Sequence, residues 1–237
     1  MPKINSIPDS QLSLIHPFTS SDKPQPANSN TNFLMDLVLG AANDAREIDL
    51  VDVSARIRQG PKWPNIWPGE HYKLLAALVK RMRPNLVVEI GTFLGVSSLV
   101  MKKYIPRDGR VVTFDVIPWQ SFEDTCFQQS DFDDPGLVQV LGDLAQPNVF
   151  EAHRELMASA DIIFLDGPKN RSFERAFLQQ LMNVNFYKAS LLVIDDIRLW
   201  NMLDLWREIE LPKLDVTSFG HYSGTGLVLL APHQASI

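Results

Sequence analysis

The sequence predicts an α/β protein with a doubly wound, mostly parallel sheet of seven strands, an antiparallel last strand and an N-terminal helical extension. Two observations support this prediction. From Glu70 onward, short apolar segments alternate with longer segments whose apolar residues follow helical spacing, which is typical of parallel strands joined by helices. The chain then ends in two strand-like segments around the loop 220–225, which indicates a terminal hairpin and therefore an antiparallel last strand.

The boundaries of the predicted elements follow from residues that break regular structure. The first helix after Glu70 ends before Pro84 and the second ends at Pro106, because proline disrupts a helix and restricts the residue before it. The predicted elements are, in order, a helix over 71–82, a strand over 86–90, a helix over 97–105, a strand over 111–116, a helix around 120–130, a strand over 137–143, a helix near 148–159, a strand over 161–167, a helix over 172–183, a strand over 190–196, a helix over 199–209, and strands over 214–219 and 226–231.

The region before Glu70 has a different composition. Residues 1–32 are rich in Ser, Pro, Asn and Gln, which favours a mobile arm or a segment that wraps around a partner. Residues 33–58 carry apolar residues at helical spacing and predict one or two helices. The segment 59–70 contains three prolines together with Trp63 and Trp67. We expect a loop whose tryptophans form a lid over a ligand, contact another subunit, or simply pack onto the domain.

Composition and charge exclude several classes of protein. A net charge of −6 and a pI near 5.3 argue against a nucleic-acid partner, because such partners are held by basic residues that neutralise phosphates. No segment approaches the ~18 consecutive apolar residues of a membrane span, and no secretory signal is recognisable. Cys126 is the only cysteine, which excludes an internal disulfide and a multi-cysteine metal site. We therefore expect a cytoplasmic enzyme that binds neither nucleic acid nor membrane.

The segment VVEIGTFLGVSS, residues 87–98, predicts a buried strand that turns sharply into a helix. Gly91 and Gly95 allow a tight turn and a close approach of the backbone to a ligand, and Ser97 stands at the start of the helix, where backbone amides are free. The pattern is E-x-G-x-x-x-G, whereas the dinucleotide fingerprint is G-x-G-x-x-G. Glu89 would repel a diphosphate but suits a ligand with cationic groups, and S-adenosylmethionine is such a ligand.

Carboxylates stand at the ends of the predicted strands. They are Glu89, Asp115, Asp143, Asp166, Asp195 and Asp196. Ligands of open α/β sheets bind beyond the carboxyl ends of the strands, although helix capping by aspartate would explain some of these residues. Asp115 lies 24 positions after Gly91, close to the spacing at which a carboxylate reaches ribose hydroxyls. We expect Asp143 to receive an adenine amino group or to position its loop, and Trp119 to stack on the adenine or to pack in the core.

Asp166, Asp195 and Asp196 are expected to converge, because adjacent central strands end side by side. Three carboxylates in one place repel one another unless a cation neutralises them. A divalent cation with oxygen ligands would do so, and magnesium is favoured because no cysteine and no pair of histidines favours zinc. The alternative is neutralisation by Lys169 and Arg198 in ordinary salt bridges.

Lys169 and His221 are the candidates for a catalytic base. Lys169 follows Asp166 by three positions, and burial beside a positive charge would lower the pKa of its ammonium group. Alternatively, Lys169 serves only as the ion-pair partner of Asp166. His221 lies in the terminal hairpin loop, which the preceding strand brings to the same edge of the sheet. His71 and His153 fall on predicted helices and are expected to be surface or packing residues.

These motifs resemble those of class I S-adenosylmethionine-dependent methyltransferases, and most of all the metal-dependent catechol and caffeoyl-coenzyme A O-methyltransferases. They are also similar to those of the cephalosporin-hydroxylase-like and sugar O-methyltransferases. The resemblance runs from about Gly69 to Ala231. EIGTFLGVSS matches the family's cofactor loop, LDGPK matches its strand-end aspartate followed by a catalytic lysine, and VIDD matches its next metal pair.

The resemblance implies a Rossmann-like fold and a role for each matched residue. Ser97 would hold the methionine carboxylate of the cofactor, and Lys169 would be the base. The implied metal ligands are Asp166, Asp195 and Asp196. The expected cofactor contacts are Glu89, Gly91, Thr92, Phe93, Gly95, Ser97, Asp115, Asp143 and Asp166. Asp115 stands where catechol-type relatives often carry Glu, and the segment PKNRSFE lacks both their aromatic clamp and the histidine of sugar-type relatives.

We therefore expect an S-adenosylmethionine-dependent O-methyltransferase that acts on a hydroxyl of a small molecule, with Mg²⁺ and as a homodimer. The expected organisation is an arm over 1–32, a helical extension and lid loop over 33–68, and an S-adenosylmethionine-binding methyltransferase domain over 69–237. One alternative is a metal-independent methyltransferase that uses Lys169 or His221 as its base. Another is a non-catalytic module that binds the cofactor or docks a partner. The glycine spacing disfavours a nicotinamide dehydrogenase.

Overall fold

The computed structural model describes residues 29–60 and 62–231 of the 237-residue chain. The expected mobile arm therefore lies outside the described residues, except for positions 29–32, which form the start of a helix. The α-helices are Ser29–Ala45 (α1), Val51–Arg56 (α2), Tyr72–Met82 (α3), Val96–Tyr104 (α4), Pro147–Ala152 (α5), Arg154–Ser159 (α6), Ser172–Leu181 (α7) and Trp200–Glu208 (α8). The strands are Leu86–Ile90 (β1), Arg110–Asp115 (β2), Leu137–Leu141 (β3), Ile162–Leu165 (β4), Ser190–Asp195 (β5), Lys213–Asp215 (β6) and Thr225–Leu230 (β7).

The seven strands form one sheet in the order β3-β2-β1-β4-β5-β7-β6. Strands β1 to β5 are parallel to one another, and β7 lies antiparallel between β5 and β6. This confirms the predicted fold class. The strand order reverses between β1 and β4, and at such a switch point the loops on either side diverge and leave a crevice at the carboxyl edge.

Apolar side chains alternate between the two faces of the sheet. Val87 of β1 belongs to the core cluster on one face, and Val88 belongs to the cluster on the other. The first cluster is covered by α1, α3 and α4, which contribute Leu34, Leu75 and Val100. Because Leu34 is fully buried in the same cluster as the strands, the helical extension shares its core with the sheet.

The region predicted as a helix around 120–130 instead contains two short 3₁₀ turns, Trp119–Ser121 and Gln129–Phe132. The physical reason is aromatic packing. Trp119 stacks on Phe132 with ring centroids 5.2 Å apart and lies edge-on to Phe127, so the chain folds back on itself rather than coiling. Of the two expectations for Trp119, packing against the core is therefore the one that the structure supports.

Two other elements are shorter than predicted. The helix near 148–159 is divided at His153, whose ring packs edge-on against Phe114 at 5.0 Å. The predicted strand 214–219 is limited to β6, because the Asp215 carboxylate accepts a hydrogen bond from the Thr217 amide at 3.0 Å and turns the chain. No helix in the described parts of the chain is long and apolar enough to cross a bilayer.

Candidate active site

The loop after β1 passes directly against the loop after β4. Gly91 has φ of 101°, and a β-carbon there would lie 2.0 Å from the backbone oxygen of Asp166. Gly95 has φ of 81°, and a β-carbon there would overlap the ring of Phe127 at 2.3 Å. Both glycines are therefore required by conformation and by space. They bring the residues of the predicted cofactor loop next to the strand-end residues of β4.

Glu89 lies beneath this loop, in the interior of the protein. Its side chain is fully buried, and its two carboxylate oxygens accept hydrogen bonds from the hydroxyls of Ser97 and Ser98. Burial raises the pKa of Glu89 to about 7, although the serine hydrogen bonds oppose that rise. Glu89 lines neither of the two cavities described below. In the structure its carboxylate fixes the start of α4.

Asp115 at the end of β2 holds the turn from the other side. Its Oδ2 atom accepts hydrogen bonds from the backbone amides of Thr92 and Phe93, each at 3.0 Å. Its Oδ1 atom accepts from the amide of Ile117 at 3.0 Å. The carboxylate also borders a large cavity at this edge of the sheet, so it can meet a ligand while it fixes the loop.

That cavity has a volume of about 770 Å³ and lies beyond the carboxyl ends of β1, β2 and β4. Its walls bring together five of the nine predicted cofactor residues with the predicted base Lys169; the five are Gly91, Phe93, Asp115, Asp143 and Asp166. The Asp143 carboxylate accepts hydrogen bonds from the Ala145 amide at 2.9 Å and from the Gln146 side chain at 3.1 Å. The volume lies within the range of pockets that enclose a small organic ligand.

A smaller cavity of about 170 Å³ borders the same loop. Thr92 and Ser97 line it together with Trp63, Gly60 and Tyr72. The segment predicted as a lid loop therefore borders the same cavity as the loop after β1. Trp67 instead packs against the core, so the two tryptophans have different surroundings.

Lys169 lies among the three aspartates of the predicted metal site. Its Nζ atom forms an ion pair with Asp166 and lies 3.2 Å from Asp196 Oδ2 and 3.8 Å from Asp195 Oδ2. Burial lowers the pKa of Lys169, but these carboxylates outweigh burial and raise it above its ordinary value. Arg198, the other expected partner, pairs with Asp215 at 2.8 Å.

The backbone of this cluster is strained. Lys169 has φ of 55° and Asp196 has φ of 62°, a region that residues with a β-carbon rarely adopt. The Lys169 amide donates to the buried Glu174 carboxylate at 2.7 Å, and its carbonyl oxygen accepts from the Asn201 side chain. These contacts hold Lys169 in the conformation that directs its ammonium group toward the aspartates.

Two histidines complete the cluster, and only His221 was predicted from the sequence to lie there. His71 Nδ1 lies 3.2 Å from Asp195 Oδ1, and His221 Nδ1 lies 3.7 Å from the same oxygen. His221 also contacts Asp196 at 3.3 Å and Glu70 at 2.6 Å. Of the two expectations for His71, a surface position is wrong and packing is confirmed, because the buried ring lies against Tyr72 and Phe164; its position beside Asp195 was not expected. The premise that the chain offers no pair of histidines is also wrong.

The sequence carried a signal for His71. Its position three and four residues before Leu74 and Leu75 places it on the apolar face of the predicted helix. The proximity of His71 to His221 was not predictable, because the two histidines are 150 positions apart in the sequence.

Several atoms of this cluster are buried without a hydrogen-bond partner. Within the described part of the chain, they include both ring nitrogens of His71 and the Oδ1 atom of Asp195. Three sets of ligand atoms lie within 4.8 Å of one another: Glu70, His71 and His221; His71, Asp166 and Asp195; and Asp195, Asp196 and His221. The three predicted aspartates therefore do not form one ligand set. The Lys169 ammonium group lies among them, and each set that contains an aspartate also contains a histidine.

The model of the O-methyltransferase family matches residues 50–208, which is more than half of the 237-residue chain. Comparison with curated proteins gives no match. Among solved structures, a methyltransferase from Geobacter sulfurreducens is 20% identical over 86% of this chain and 98% of that chain, with a TM-score of 0.50. At this identity the likeness supports the fold alone.

Two further solved structures have lower TM-scores. The O-methyltransferase TomG from Streptomyces achromogenes, involved in tomaymycin synthesis and solved in complex with S-adenosylmethionine, is 17% identical over 86% of this chain and 96% of that chain, with a TM-score of 0.48. The MycE methyltransferase of the mycinamycin pathway, solved with Mg and S-adenosylhomocysteine, is 21% identical over 51% of this chain, with a TM-score of 0.39. This chain covers 30% of the MycE chain.

Proposed function

This chain belongs to the O-methyltransferase family and is an S-adenosylmethionine-dependent methyltransferase; we propose that its acceptor is a hydroxyl of a small molecule and that a divalent metal assists the transfer. One observation carries the proposal. The cavity beside the glycine loop and the cluster of Lys169 with its aspartates share Asp166 and one edge of the sheet. A methyl donor in the cavity and a hydroxyl at the cluster would therefore lie side by side, and such alignment supplies much of the rate of a transfer reaction.

The cofactor assignments follow from the lining of the cavities. Asp115 would receive the ribose hydroxyls, because its carboxylate borders the large cavity and is already fixed by Thr92 and Phe93. Asp143 would bind or position the adenine at the far wall. Ser97 would meet the methionine portion, since it lines the smaller cavity next to the helix start.

The residues of the cluster fit a divalent cation. Asp195 Oδ1 is buried without a hydrogen-bond partner among the described residues, and a carboxylate oxygen in that state is costly unless a cation satisfies it. Asp166, Asp195 and Asp196 would hold the ion. When bound, a divalent cation stabilises the negative charge that develops on the acceptor oxygen.

Lys169 is the proposed acceptor of the hydroxyl proton. The carboxylates of Asp166 and Asp195 raise the pKa of Lys169 despite the opposing effect of burial. Positive charge bound by those carboxylates would withdraw that support and lower the pKa toward neutrality. His221 is the second candidate for the acceptor of the hydroxyl proton. Hydrogen bonds with Asp196 and Glu70 outweigh burial and raise the pKa of His221 to about 10, so at neutral pH its ring is protonated and donates rather than accepts.

A metal-independent transferase is the second candidate, and the ion pairs of Lys169 favour it. The ammonium group already contacts all three aspartates, so part of their charge is neutralised without a metal. In that case Lys169 or His221 alone would act as the base, and that residue would first have to release its own proton. Treatment with a chelator separates the two candidates, because only the metal-assisted enzyme would lose activity.

The test of the proposed function compares Asp195→Ala with Asp115→Ala. We expect Asp195→Ala to lose at least ~100-fold in turnover while S-adenosylhomocysteine binds within about twofold of wild type. Asp115→Ala should weaken that binding by about tenfold or more, because a charged hydrogen-bond acceptor is lost. Calorimetry measures cofactor affinity, and release of S-adenosylhomocysteine with catechol and vicinal-diol acceptors measures turnover. Equal loss of cofactor affinity in both variants would contradict this division of roles.

The cytoplasmic location, the homodimer and the three-part organisation of the chain, with a mobile arm over 1–32, stay predictions. A homodimer is supported by the exposure of Trp63 in the loop before α3. Measurement of the mass in solution by light scattering tests it.

A further inference from the structure

We propose that His71 is a ligand of the metal, and that the site therefore prefers a first-row transition cation such as Co²⁺ or Zn²⁺ to Mg²⁺. This inference rests on the metal part of the proposed function and extends it from carboxylate ligands to a histidine ligand. Two observations support it: the burial of His71 without a hydrogen bond, and the carboxylates that its ring faces.

His71 is buried and its ring forms no hydrogen bond. Its side chain is 6% exposed, and neither of its ring nitrogens has a hydrogen-bond partner in the regions the structure describes. The ring is held by Tyr72 and Phe164, whose centroids lie 4.4 and 5.3 Å away. A buried imidazole is normally satisfied by a hydrogen bond or by a metal. Because the ring of His71 forms no hydrogen bond, its nitrogens are available to a metal ion.

The ring faces another atom that forms no hydrogen bond. Asp195 Oδ1 lies 3.2 Å from His71 Nδ1, an ion-pair distance when the ring is charged, but the two atoms lack the geometry of a hydrogen bond. Two ligands that each lie about 2.1 Å from one ion are 3.2 Å apart when the angle between them is about 100°. The separation therefore suits two neighbouring positions around a single cation.

Further ligands surround these two atoms. Asp166 completes one set with His71 and Asp195, and His221 with Glu70 completes another around His71. The groups that face this space carry four carboxylates, from Glu70, Asp166, Asp195 and Asp196, against one lysine and two histidines. Acidic groups thus remain in excess even when every basic group is charged, which favours an additional cation.

The nitrogen ligand decides the kind of metal. Magnesium binds oxygen atoms almost exclusively and retains several waters, whereas imidazole favours zinc, cobalt, nickel, copper and iron. The expectation of Mg²⁺ depended on the absence of a histidine pair. The rings of His71 and His221 lie 5.9 Å apart, edge to face, so the ligand set is a mixed histidine–carboxylate one.

The experiment titrates Co²⁺ into full-length protein saturated with S-adenosylhomocysteine and follows the visible absorption of the bound ion. Wild type should give saturable absorption, and His71→Gln should weaken Co²⁺ binding by at least tenfold, because a ligand nitrogen is lost. His153→Gln is the matched control, since His153 packs against Phe114 away from the cluster, and it should bind as wild type does. Mg²⁺ should compete with Co²⁺ only at large excess.

Other outcomes would overturn the inference in distinguishable ways. Equal Co²⁺ binding by wild type and His71→Gln, with effective competition by Mg²⁺, would leave the proposed function intact and return the site to its aspartates. A charged His71 that only pairs with Asp195 predicts no binding of either cation, and this result would remove the metal part of the proposed function while S-adenosylhomocysteine binding persists. If His71→Gln does not fold, histidine ¹⁵N resonances of wild type decide, because Zn²⁺ should shift the imidazole signals of ligands among the five histidines.

Discussion

At the scale of single residues, the site is built from polar groups that the fold isolates from water. Glu89 is fully buried beneath the cofactor loop, and Lys169 is held at a positive φ by Glu174 and Asn201. Such positions cost stability and persist only where neighbouring contacts impose them. Glu89 offers the clearest measurable consequence, because its protonation state is tied to the folded structure.

We expect Glu89→Gln to change how stability depends on pH. Burial raises the pKa of Glu89 from 4.5 to about 7, so the folded protein binds a proton that the unfolded chain releases. The shift adds about 3 kcal/mol to the free energy of unfolding below pH 4.5, and this contribution is lost as the pH rises toward 7. Denaturant unfolding of wild type should show this loss, and Glu89→Gln should lack it.

The exposed Glu123 provides the control for this measurement. Glu123→Gln should follow the wild-type pH profile, because its side chain is solvated in both states. Parallel profiles of wild type and Glu89→Gln between pH 4.5 and 7 would show that the Glu89 carboxyl is not perturbed.

At the scale of elements, the turn between β1 and α4 is the feature on which the site depends. It places the loop against the β4 end, under the Asp115 carboxylate and beside the lid loop. The sharp turn is possible because Gly91 and Gly95 adopt positive φ angles. Both the positive φ and the lack of space for a β-carbon restrict Gly91. A comparison with a second glycine of the chain distinguishes these two effects.

Gly91→Ala should be far more damaging than Gly60→Ala. Both glycines have a positive φ, of 101° and 88°, but a β-carbon at Gly60 meets nothing within 4 Å, whereas one at Gly91 would overlap Asp166. Gly60→Ala should cost about 1 kcal/mol from backbone strain alone. Gly91→Ala should cost about 3 kcal/mol or more and abolish S-adenosylhomocysteine binding. Chemical denaturation and calorimetry check both, and equal costs would show that crowding is unimportant.

At the scale of the whole molecule, the two core clusters share one sheet, so the helical extension and the strands should unfold together. Leu34 of α1 is fully buried and Leu39 of the same helix is 55% exposed. Leu34→Ala should cost about 3 kcal/mol and Leu39→Ala less than about 0.5 kcal/mol. Tryptophan fluorescence and far-ultraviolet circular dichroism should give one midpoint for each variant, whereas two midpoints for Leu34→Ala would reveal a separately folding extension.

Much of this architecture was predictable because local rules determine it. Buried parallel strands are continuous apolar runs, so β1 and β5 were predicted to within a residue. The segment around Trp119 was not, since its helical periodicity gives way to aromatic packing with Phe132. His71 was missed for a related reason. Its role depends on contact with a strand end and a hairpin loop that lie far away in sequence.

The place of β7 between β5 and β6 bears on the order in which the site matures during synthesis. The walls of the large cavity come from residues 90–176, so they emerge from the ribosome first. His221 follows about 45 residues later, which corresponds to roughly 2 to 10 s of translation. In a nascent chain the residues that line this cavity therefore leave the ribosome before the histidine–aspartate cluster can be complete, and that cluster is complete only with the final hairpin.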